Sequence, residues 1–114
     1  MMGRGAAPSG ASRRAISEIR SIVVREEHLE DPAEIRRAHQ HRGLSMVGYH
    51  LYLDPERTLH VGRPLEVPGA WPNEDIPADA LVLAVWYRLP DAQVAAAVER
   101  LRRSYPSITT TNLS

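Results

Sequence analysis

The sequence predicts a single α/β domain with a mixed central sheet of about five strands flanked by helices. Three observations carry that prediction. Residues 80–87, ALVLAVWY, are short and almost wholly apolar, as a central strand covered on both faces must be. Val94, Ala97, Val98, Leu101 and Tyr105 repeat at helical spacing, with Glu99, Arg100, Arg102 and Arg103 mostly outward. Residues 47–61 alternate, turn and return, the pattern of a hairpin. Together the order is strand, helix, hairpin, loop, strand, helix, strand.

Taken in order, residues 1–14 are rich in Gly, Ala, Ser and Pro and read as a flexible arm, leaving 15–114 as the domain. Ala15 to Arg20 is either a helical turn or an extended approach. Ile22, Val23 and Val24 are a β-branched run suited to a buried strand, with Arg25, Glu26, Glu27 and His28 at its end. The first helix has Asp31 as N-cap, Pro32 at its first position and Glu34 placed for a capping box. Ile35, Ala38 and His39 share one face, and Gly43 suits the left-handed exit. In the next strand Val47, Tyr49, Leu51 and Leu53 point one way, and Gly48, His50 and Tyr52 the other. Asp54 and Pro55 open a turn, and Arg57 to Val61 returns. Gly62 to Asp79 is a long Gly- and Pro-containing loop. Pro90 and Asp91 open the second helix, Pro106 ends it, and Ile108 to Thr111 forms a last short strand.

Composition excludes several functions. At 114 residues there is room for one domain and a modest core. Fourteen arginines balance the 14 acidic residues, so no global field directs the chain to nucleic acid or an anionic membrane. With no cysteine, disulfides, thiol catalysis and cysteine-ligated zinc are excluded. No apolar run approaches the roughly 20 residues of a membrane helix, and the N-terminus lacks the apolar core of a secretory signal.

Specific fragments then stand out: Ala38-His39, Gly48-Tyr49-His50, Gly62-Arg63-Pro64 and Gly69-Ala70-Trp71. In that order and spacing the chain resembles, from about Ile22 onward, the zinc-dependent N-acetylmuramoyl-L-alanine amidases of the bacteriophage lysozyme and peptidoglycan-recognition-protein type. The resemblance implies a groove bordered by His39, Tyr49, Arg63, Trp71 and Arg25, with Tyr49 in the place of a catalytic tyrosine. Active relatives hold zinc with two histidines and a cysteine or aspartate. Here Arg25 stands at the first ligand position, Thr110 matches the second, and the third would lie beyond Ser114. Arginine has no free lone pair for a metal. His28 is near enough to the strand end to reach the groove, while His39 and His41 do not share a helix face.

The resemblance therefore implies a degenerate, C-terminally truncated relative. The expected function is a non-catalytic domain, of phage or prophage origin, binding peptidoglycan muropeptides or a protein partner, with no cofactor. The alternative is an active amidase cleaving the lactyl-L-alanine bond with zinc. Each residue also has a plainer reading: Tyr49 as a half-buried strand tyrosine, Arg63 in a surface ion pair, Trp71 as a roof over the core, His39 as a structural histidine, and Arg25 paired with Glu26, Glu27 or Asp79. The expected site of synthesis is the cytoplasm, followed by incorporation into a virion or release to the cell wall.

Overall fold

The computed structural model describes residues 13–113. The expected flexible arm, apart from Arg13 and Arg14, lies outside that range. Arg14 is held fast: its N–H donates to Glu66 O, Nε to Leu65 O and Nη1 to Ala78 O. Ile16–Glu18 is a short 3-10 turn, and Ile19 behind it is fully buried.

The strands are β1 (Ser21–Glu27), β2 (Leu51–Leu53), β3 (Leu59–Val61), β4 (Ala80–Trp86) and β5 (Thr110–Leu113); the helices are α1 (Pro32–His41) and α2 (Asp91–Ser104). The sheet order is β3-β2-β4-β1-β5. β1 runs parallel to β4 and β5, β2 runs parallel to β4, and only the β2–β3 hairpin is antiparallel. The mixed five-stranded sheet is as the sequence predicts. β4 lies at its centre, and Ala80 to Val85 are all buried there.

The two faces are covered differently. On one, Ile22, Val24, Leu81, Leu83 and Val85 pack against Ala97 and Leu101 of α2. On the other, Val82, Ala84 and Tyr52 pack with Ile35 of α1, Val47 and Tyr49. Arg25 and Glu27 share the parity of Val23 and lie in register with Ala84 and Trp86, which directs them to the α1 face near its open end. α1 begins with the expected N-cap, the Asp31 carboxylate accepting from Ala33 N–H at 2.9 Å, but without the reciprocal Glu34 bond of a capping box. It ends before Gly43, whose φ of 101° is the left-handed exit.

The structure corrects the strand after α1. Only Leu51–Leu53 is strand, and the alternation expected from Val47 to Leu53 breaks at His50. Val47 and Tyr49 join Tyr52 on the α1 face, whereas Leu53 lies on the α2 face with Leu51 packed beside it. The cause is local. His50 Nδ1 accepts the Val82 N–H at 2.9 Å, so a side chain takes a sheet donor that a backbone carbonyl would otherwise bond. Gly48 also packs so closely under Ala70 that a Cβ there would lie 2.0 Å from Ala70 O. Other strand bounds move as well. β1 extends through Glu27, β3 begins at Leu59 and not at Arg57, whose φ of 68° belongs to the turn, β4 ends at Trp86, and the last strand runs from Thr110 to Leu113.

Candidate functional site

The candidate site lies on the α1 face, toward the C-terminal ends of β1 and β4, where open parallel sheets commonly place ligands. β1 supplies Arg25 and Glu27, α1 supplies His39, the segment after α1 supplies Tyr49, and the long loop supplies Arg63, Trp71 and Glu74.

His39 is 3% exposed and forms the middle of this group. Its Nδ1 accepts the Gly48 N–H at 3.0 Å, which puts the ring proton of the neutral form on Nε2. Nε2 faces Glu27 Oε1 at 3.9 Å, too long for a hydrogen bond. Burial, reinforced by Arg42 and Arg63, lowers the affinity of His39 for a second proton. The pair is thus a neutral imidazole near a carboxylate. The Glu27 carboxylate turns its other oxygen to Leu29 N–H at 3.1 Å. Trp71 meets the His39 ring edge-on, with centroids 5.0 Å apart.

Tyr49 is 2% exposed, and its ring lies 6.4 Å from that of His39 and 5.7 Å from that of Tyr52. Burial, with Glu27 adding to it, pushes its phenol up to about 12. At neutral pH it is a phenol and not a phenolate base. Arg63 is half-buried and spends Nε on Val47 O and Nη1 on Pro68 O, each at 2.8 Å. Those bonds tie the long loop to the segment after α1, and they replace the expected surface ion pair. Trp71 packs against the Ile35–Tyr49–Val82 cluster, so it roofs the core.

Arg25 pairs with none of Glu26, Glu27 or Asp79. It makes a two-pronged ion pair with Glu74, Nε to Oε1 at 2.7 Å and Nη2 to Oε2 at 3.0 Å. Trp71 and Glu74 are themselves bridged across a tight turn with Asn73 at a φ of 64°. The ion pair therefore fastens the loop that carries Trp71 to the end of β1. Glu74 was not singled out in the sequence because no local pattern connects it with a strand 49 residues earlier. Glu27 was legible in principle, standing two residues after Arg25 on the same face.

Thr110 is elsewhere. It pairs with Ser21, four register positions from Arg25, or about 13 Å along the strand. Thr110 and Arg25 do not face one another across Tyr49. His28, the other candidate at the strand end, stacks on Tyr87 at 4.2 Å.

The described side chains do not fit a zinc ion. A catalytic zinc takes about three His, Cys, Asp or Glu donors and an open position. Among the described residues no group of three or more such side chains comes together. At the end of β1 stands a guanidinium already paired with a carboxylate, and His39 has committed Nδ1 to a backbone N–H.

No family model matches the chain, and no curated protein matches it. Solved structures do, and they define its fold: the sheet with a helix on each face is the α/β fold seen in N-acetylmuramoyl-L-alanine amidases. One is the N-acetylmuramoyl-L-alanine amidase LysC from Clostridium intestinale URNW, at 22% identity and a TM-score of 0.66, covering 90% of this chain and 76% of that one. Another is the endolysine N-acetylmuramoyl-L-alanine amidase LysCS from the same organism, at 24% identity and a TM-score of 0.67, covering 90% and 74%. At this identity the likeness establishes the fold.

Proposed function

We propose that this chain is a non-catalytic amidase-like domain that binds peptidoglycan fragments on the α1 face, where the partly exposed Trp71, Arg25 and Glu27 lie over the buried His39 and Tyr49. The observation that carries the reading is the Arg25–Glu74 ion pair at the end of β1. A fixed guanidinium repels a metal cation and offers it no lone pair. His39 has its one acceptor nitrogen bonded to the Gly48 N–H, and Tyr49 is a protonated phenol, so neither offers a free base beside it. The same face retains recognition chemistry: the partly exposed Trp71 for stacking, the Glu27 carboxylate, and an arginine whose carboxylate partner is itself exchangeable.

The test uses purified protein with defined muropeptides, with added zinc and with chelator. The expected outcome is saturable binding by calorimetry or NMR, with shifts at Trp71 and His39, and no release of stem peptide under either condition. Zinc-dependent, chelator-sensitive release of L-alanine-bearing peptide would instead establish the amidase reading. If muropeptides do not bind, a protein partner is the remaining occupant of this face, to be captured from the native host by pulldown with Trp71→Ala as control.

A further inference from the structure

A crevice of about 590 Å³ opens on the α2 side of the sheet, on the face opposite His39 and Trp71. Its walls are apolar: Val85 and Leu89 from the sheet side, Val94 and Val98 from α2, with Trp86 beside them. This volume falls in the roughly 300–1,000 Å³ range of small-molecule sites, which are mostly apolar with a few polar groups.

The polar lining has a sign. Glu26 of β1 and Asp91 and Glu99 of α2 border the crevice against one arginine, Arg102. Asp91, Ala95, Val98 and Arg102 fall on one edge of α2 at helical spacing, so the edge is acidic at its start and apolar in its middle. Arg102 directs Nη2 to Thr109 O at 3.4 Å, toward the start of β5. Among the described residues none of the three carboxylates has an ion-pair or hydrogen-bond partner. Two buried polar atoms in the described residues, Trp86 Nε1 and Thr111 Oγ1, lack a hydrogen-bond partner, and both residues line this crevice. Buried polar groups are nearly always bonded, so the chain's own packing is least complete here.

We propose that the crevice is a second ligand site, for a small organic cation with an apolar body. Its walls take the body, and the Glu26, Asp91 and Glu99 rim takes the charge. Tyr87 contributes little, because its ring is already stacked on His28 and has the Arg88 guanidinium 5.1 Å from its centroid. The same acidic rim disfavours a carboxylate-bearing ligand. The site is independent of the muropeptide reading, since it lies on the other face of the sheet.

The experiment titrates the full chain with three probes that share one apolar body: phenethylammonium, phenethyl alcohol and hydrocinnamate. Binding is read by NMR at Trp86, Ala95 and Val98. The expected result is saturable shifts with the ammonium, at least about threefold weaker binding of the alcohol, and weakest binding of the carboxylate. Ala95 is exposed, so Ala95→Trp fills the crevice from its edge and abolishes the shifts. Glu99→Gln weakens the ammonium by about threefold and leaves the alcohol unchanged. Equal binding of all three probes, absence of saturable shifts at these residues, or shifts confined to His39 and Trp71 would each overturn the proposal. Circular dichroism checks that Ala95→Trp folds; if it does not, Glu99→Gln decides.

Discussion

His50 is the residue on which the most local structure converges. It is 1% exposed, accepts the Val82 N–H through Nδ1, and presents Nε2 to Val67 O at 2.7 Å. Burial pushes its imidazole from 6.5 down to about 4, against a smaller upward contribution from the Val67 bond. Between those values the unfolded chain takes up a proton that the folded chain refuses. Stability present at neutral pH therefore falls as the pH drops through that window, by up to about 3 kcal/mol. His39, also lowered, acts in the same direction. Urea unfolding at stepped pH values measures the slope, and His50→Gln is expected to remove most of it whatever its effect on absolute stability. Gly48 is constrained as tightly, by space. The Cβ of Gly48→Ala would collide with the Ala70 carbonyl, which is backbone and bonded in place by Ala70 N to Gly48 O. A loss of about 2 kcal/mol, read as a lower urea midpoint, is expected.

The elements owe their positions to a few polar attachments laid over the apolar pattern. α1 is started by the Asp31 carboxylate, and Asp31→Ala is expected to cost about 1 kcal/mol in thermal or urea unfolding. The 71–74 turn depends on Arg25 and Glu74, whose side chains are 15% and 39% exposed. Because the pair is partly solvated, Glu74→Gln is expected to lower global stability by less than about 1 kcal/mol. Its effect should be local: faster amide exchange at Glu74, whose N–H bonds to Trp71 O, with β4 unchanged. Equal loss of protection in β4 would mean that the ion pair holds up the whole domain and not one turn. At the β2–β3 hairpin, Asp54 accepts Thr58 N–H at 2.8 Å and is joined to His60 at 2.7 Å. Burial alone would raise that carboxyl, but these bonds outweigh it and hold it below its usual range.

At the scale of the whole molecule, stability rests on the two-sided burial of β4. Leu83 is fully buried on the α2 face, and Leu83→Ala is expected to cost about 3 kcal/mol in urea unfolding. That is a large fraction of the roughly 5–15 kcal/mol typical of a domain. The two faces also differ in the polar groups they carry. The α1 face carries the polar residues Arg25, Glu27 and His39 among its apolar neighbours, and the α2 face carries the acidic-rimmed crevice. No helix among the described residues is long and apolar enough to cross a membrane.

The sequence by itself determined the single α/β domain, the central apolar strand, both helices with their apolar faces, the Asp31 cap and the Gly43 exit. Each is written in a local period or a local backbone requirement, so a few neighbouring residues suffice to specify it. It also supplied the fragments by which the amidase-like fold is recognisable. Only the tertiary structure decided that Tyr49 and Tyr52 share a face, because His50 takes a sheet donor contributed 32 residues later in the chain. Only it joined Arg25 to Glu74 and separated Arg25 from Thr110, because strand register and loop closure are set by contacts between distant segments.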